Sequence, residues 1–88
     1  MTTKQYLQLV EEIKNYVLEL DCDYQRDDLE VIQVWYCKTI QNHKGLFIVK
    51  NNITNSIYPY FFECTYNGDA RELYIDVYTK IFKHTIKC

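Results

Sequence analysis

Eighty-eight residues, 48% hydrophobic and 25% charged, describe one small globular domain with a thin core, and no segment reaches the length of a membrane span. A net charge of -2 gives no long-range pull toward a phosphate backbone and is too small for a mimic of DNA. The four cysteines (Cys22, Cys37, Cys64 and Cys88) form no C-x-x-C pair, which argues against a zinc knuckle.

The start, M-T-T-K-Q-Y-L-Q-L-V-E-E, carries charges where a signal peptide needs an apolar core, so a cytoplasmic setting with reduced thiols is expected. Residues 3 to 20 then read as an amphipathic helix. Tyr6, Val10, Ile13, Val17 and Leu20 recur at steps of three and four, Leu7, Leu9 and Leu18 widen the stripe, and Thr2 or Thr3 can cap it. D-C-D-Y-Q-R-D-D, residues 21 to 28, breaks the period. Its aspartates lack EF-hand spacing and a glycine, so a solvated acidic loop is expected, not a calcium site.

Residues 30 to 40 are β-branched and aromatic and read as a strand with two apolar faces, Val31, Trp35 and Cys37 on one and Ile32, Val34 and Tyr36 on the other. Q-N-H-K-G, Gln41 to Gly45, reads as a turn whose glycine supplies a positive φ. Leu46 to Lys50 is a second strand, N-N-I-T-N-S a loop, and Ile57 to Tyr66 a third strand with Pro59 near its start. Y-N-G-D, residues 66 to 69, signals a tight turn. The stretch after it has two readings. Leu73, Ile75 and Val77 alternate as in a strand. Asp69-Ala70-Arg71-Glu72 resembles a capping box, and Leu73, Val77 and Ile81 stack at helical spacing, with Lys80, Lys83 and Lys87 toward the end. The helix is preferred. The expected fold is therefore α+β, a single domain over residues 1–88 in the order α-β-β-β-α, with a three-stranded antiparallel sheet packed by helices.

V-W-Y-C-K-T-I-Q-N-H-K, residues 34 to 44, and E-C-T-Y-N-G-D, residues 63 to 69, are followed by the tyrosine-rich E-L-Y-I-D-V-Y-T-K, residues 72 to 80. This pattern resembles a functionally uncharacterised family of small phage and prophage proteins of Gram-positive bacteria. The resemblance implies a phage accessory protein at work in bacterial cytoplasm, of a kind that often binds and inhibits a host enzyme or defence system.

The residues themselves offer binding chemistry more than catalysis. Lys38, Gln41, Asn42, His43 and Lys44 combine amide donors and acceptors, a group that titrates near neutrality and two cations. The plain alternative is a turn beside a snorkelling lysine. Tyr36, Tyr60 and Tyr66, with Tyr58, are expected on a partly open sheet face, while Trp35 is expected as a core anchor. Cys37 and Cys64 lie in apolar runs and read as core residues, so no activated thiol pairs with His43. His43 and His84 lack metal-ligand spacing. No catalytic residue, cofactor or metal is expected.

The leading expectation is a binding protein that inhibits or modulates a host or defence protein. A small-ligand role, with a nucleotide held by the Lys38–Lys44 cluster, is the alternative. Nucleic-acid binding comes third. The order α-β-β-β-α is that of double-stranded-RNA-binding domains, but D-A-R-E stands where their basic helix start would lie. No membrane partner is expected, and self-association is compatible with the composition.

Overall fold

The computed structural model describes residues 2–40 and 42–79, with the backbone alone at Thr39. One α-helix, α1 (Thr3–Leu20), leads through a 3-10 turn (Arg26–Asp28) into five strands: β1 (Leu29–Thr39), β2 (Asn42–Asn51), β3 (Ser56–Ile57), β4 (Tyr60–Asn67) and β5 (Glu72–Thr79). All pairings are antiparallel, in the order β1-β2-β4-β5, with the short β3 also on β2. Among the described residues no helix is long and apolar enough to cross a membrane.

The α+β class agrees with expectation, but the three-stranded sheet and the second helix do not. Residues 72–79 form β5, and the rest of the expected helix lies outside the described residues. The reason is backbone satisfaction. Without β5, the outer edge of β4 would expose a row of unpaired N–H and C=O groups. Leu73, Ile75 and Val77 pack against the core from one face of β5, as alternation requires. Asp69 caps no helix. Asn67 Oδ1 instead accepts from the Asp69 and Ala70 amides at 3.1 and 3.2 Å and shapes the β4–β5 turn.

Helix α1 starts at a capping box in which Gln5 N donates to Thr2 Oγ1 and Thr2 N donates to Gln5 Oε1. Its buried line is Leu9, Ile13 and Val17; Leu7 and Leu20, expected on the stripe, stand exposed. That line packs on Leu29, Phe47, Val49, Phe62 and Cys64. Each such side chain removed from water contributes about 1.5–3 kcal/mol. Arg26 pairs with Glu11 at 3.1 Å and bonds Asn15, which ties the 3-10 turn to the outside of the helix.

The sheet has a helix-covered face and a face that no described element covers. On β2 the odd-numbered residues from His43 to Asn51 are buried on the helix side, and the even-numbered ones point away. On β1 a bulge between Gln33 and Trp35 shifts the register and reverses the alternation. Val31 and Gln33 share the helix side with Tyr36 and Lys38, while Ile32 shares the open side with Trp35 and Cys37. Trp35 is thus 41% exposed and not a core anchor, and Cys37 is likewise exposed and not a core residue. Cys64 is buried as expected.

Candidate functional site

The stretch read as the turn Q-N-H-K-G is mostly strand. Thr39 pairs with Asn42, so only residues 40 and 41 separate β1 from β2. The positive φ falls on Ile40, at 54°, and no glycine has one. Gly45 serves a different need. A Cβ there would stand 2.9 Å from Phe47 Cε2 and 3.3 Å from the Trp35 carbonyl oxygen. The glycine lets the Phe47 ring lie against the strand that carries it.

Because successive strand residues face opposite ways, the expected cluster is divided between two faces. His43 lies on the helix side, 8% exposed, in a row with Lys38, Tyr66 and Leu73. Its ring sits between those of Tyr36 and Tyr66, at centroid distances of 5.6 and 5.8 Å, and its Nδ1 shares a hydrogen bond with the Tyr36 hydroxyl. Burial, and then nearby positive charge including Lys38, lowers the His43 pKa from its ordinary value. Burial likewise raises that of Tyr36. The Tyr66 hydroxyl accepts from Gln5 Nε2 at 3.0 Å. This group thus fastens the first turn of α1 to the sheet. Tyr60 is remote from it, packed edge-on against Tyr16 at 5.9 Å. Tyr58 closes the other end of the helix. Its hydroxyl donates to Asp21 Oδ2 and accepts from the buried Asn51 Nδ2. The tyrosines expected on an open face are therefore the ones that hold the helix down.

Asn42 and Lys44 point to the open face. There, cross-strand pairing aligns Cys37, Lys44, Thr65 and Tyr74 in one row and places Asn42 opposite Asn67 in the next. Cys37 and Thr65 are short, whereas Trp35 and Tyr74 are large. The difference in height leaves a cavity of about 440 Å³ among these residues, with His43 bordering it from the same strand as Asn42 and Lys44. The Lys44 ammonium lies 3.1 Å from Glu63 Oε1, and Asp76 stands directly opposite Glu63. Gln41 lies outside the described residues, as do His84 and Cys88.

The buried Cys64 thiol is pushed up to about 12, by burial first and then by the Asp76 and Glu63 charges. It therefore stays protonated at neutral pH. No group of three or more potential metal ligands occurs among the described residues.

A model of a family of unknown function, DUF6275, matches residues 3–88. The chain belongs to that family. No curated protein matches it, and neither does any solved structure.

Sequence reasoning missed Trp35, Thr65, Asn67 and Tyr74 as neighbours. Trp35 was hidden by the bulge, which no local residue announces. Tyr74 was hidden by the helical reading of β5. Asn67 did carry a signal, as the first residue of an Asn-Gly pair, but that signal speaks of turns and not of sites.

Proposed function

We propose that the protein is a binding module that engages another protein through the uncovered face of its sheet. One observation carries the reading. Trp35, Phe61, Tyr74 and Tyr78 are 41–52% exposed on a face opposite the only described α-helix. Large exposed aromatic side chains gathered on one face mark interaction sites, and aromatic side chains dominate the energetics of protein interfaces.

Charge narrows the partner. Among the described residues the open face carries the carboxylates of Glu30, Glu63, Glu72 and Asp76 against the ammonium groups of Lys44 and Lys50. Its excess of negative charge suits an apolar surface rimmed by basic side chains and repels a phosphate backbone. In the phage setting that the two sequence blocks imply, the partner is a host or defence protein whose activity is inhibited or modulated.

The test is capture of partner from host extract by the full chain and by two sets of variants. Phe61→Asp and Tyr78→Asp on the open face should abolish capture. Leu7→Asp and Leu20→Asp on the outer side of the helix should retain it. Loss in both sets, or retention in both, would overturn the assignment of the face.

A further inference from the structure

We propose that the cavity on the open face binds an uncharged planar heterocycle whose edge sets a hydrogen-bond acceptor beside an N–H donor, the chemistry of the base of a nucleoside. The protein-binding reading is not needed for this inference. A molecule seated in the cavity would occupy one end of the same face.

Shape sets the ring. The short side chains of Cys37 and Thr65, with the stem of Lys44 between them, form a floor between Trp35 and Tyr74, and the resulting volume of about 440 Å³ lies within the roughly 300–1,000 Å³ of small-ligand sites. A flat ring covers part of such a floor and gains contact with one aromatic flank.

Hydrogen bonding sets the edge. Asn67 Oδ1 is committed to the Asp69 and Ala70 amides, which fixes the carboxamide and leaves its Nδ2 as a donor. Asn42, directly opposite, offers an acceptor and a donor. A ring acceptor beside an N–H donor matches this pair, as in the carbonyl and ring N–H of uracil or guanine and in the ring nitrogen and amino group of cytosine. The acceptor takes the hydrogen bond of Asn67 Nδ2, and the N–H donates to Asn42 Oδ1.

Electrostatics sets the charge. Among the described residues the one ammonium group at the cavity, on Lys44, is paired with Glu63. Asp76 lies opposite Glu63, and Glu72 lies opposite Asn67. A phosphate would enter a field of like charge. The nucleoside, and not the nucleotide, is therefore the fitting class.

Two reporters are built in. Trp35 is the sole tryptophan of the chain and lines the cavity. The Cys37 thiol also lines it, while the exposed Cys22 lies beyond the far end of α1 and serves as an internal reference. The full chain is titrated with uridine, guanosine, cytidine, uridine monophosphate and N-acetyltyrosinamide. Quenching of Trp35 and maleimide labelling of Cys37 relative to Cys22 are followed.

Uridine, guanosine and cytidine should quench Trp35 and slow Cys37 labelling several-fold, with the monophosphate binding several-fold more weakly. Asn67→Asp keeps an oxygen for the turn amides but removes the donor, and Asn42→Ala removes the acceptor. Each should abolish the effect with the thermal midpoint of unfolding unchanged. Three results would overturn the proposal: no response to any nucleoside at millimolar concentration, equal or tighter binding of the monophosphate, or full binding by folded variants. Protection by N-acetyltyrosinamide alone would also overturn it, and would assign the cavity to an aromatic side chain of a protein partner.

Discussion

Two residues near the first hairpin have exchanged the roles that their chemistry suggests. Ile40 adopts a left-handed φ of 54° while 86% exposed, a conformation that costs a β-branched residue about 1–2 kcal/mol. With so little packing to lose, Ile40→Asn should stabilise the protein by about 0.5–1 kcal/mol in urea unfolding. Gly45 has ordinary strand backbone, but an added methyl would collide with Phe47. Gly45→Ala should therefore destabilise by about 1–3 kcal/mol in the same measurement. His43 makes a prediction in pH. Its native pKa lies below its ordinary 6.5, so the unfolded chain takes up the proton more readily. Its contribution to stability is complete above pH 6.5 and is lost as pH falls from there through the lowered native value. Unfolding free energies from pH 8 to 5 should show this loss in the wild type. His43→Gln should lack that part of the slope, and an identical slope in the variant would assign the loss to other groups.

Helix α1 is held on the sheet by apolar packing at its middle and by a tyrosine hydroxyl at each end. The two ends differ in burial, and this ranks their importance. Asn51 is 1% exposed, and its Nδ2 donates to Tyr58. Tyr58→Phe removes the acceptor for that buried amide and the donor for Asp21, and should cost about 1–3 kcal/mol. Tyr66→Phe removes a single bond from Gln5, whose amide can turn to water, and should cost about 0.5–1.5 kcal/mol. Paired denaturant curves would check the order. A larger loss at Tyr66 would mean that the His43 group, and not Asn51, anchors the helix. At this scale much was legible in the sequence. The helix and the strand character of β1 follow from periodicity and β-branching, whereas the strand expected over Ile57 to Tyr66 is split into β3 and β4 on either side of Tyr58 and Pro59. Two facts were not local. Leu73, Ile75 and Val77 fit a strand while Leu73, Val77 and Ile81 fit a helix, and the need of β4 for a partner edge decides between them. The run V-I-Q-V-W-Y-C is apolar on both faces, so it gives no indication that a bulge at Val34 reverses which side Trp35 and Tyr36 occupy. The candidate site was divided for a different reason: Q-N-H-K-G reads as a turn but is mostly strand, so alternation parts its side chains. His43 went to the helix side, whereas Asn42 and Lys44 joined Trp35 on the open one.

For the molecule as a whole, the question is whether the open face serves folding or recognition. A residue that holds a fold together loses accessible area on folding, and its truncation leaves a cavity. Phe62 is of that kind, fully buried beneath α1, and Phe62→Ala should cost about 3–5 kcal/mol. Trp35 and Tyr74 are comparably large but remain 41% and 48% exposed, at either side of an open trough. Truncating them removes surface that is already half in water and opens no enclosed void. The double variant Trp35→Ser, Tyr74→Ser should therefore lose much less stability than Phe62→Ala, on the order of 1 kcal/mol. It should still lose partner capture, because the aromatic area that would be desolvated in a complex is gone. Thermal unfolding and capture measured on the same preparations separate the two roles. If the double variant unfolds as readily as Phe62→Ala, these aromatics belong to the folding core and the open face is not a recognition surface. If it stays folded and fails to capture, the area left exposed on the face opposite α1 is the area that the protein uses.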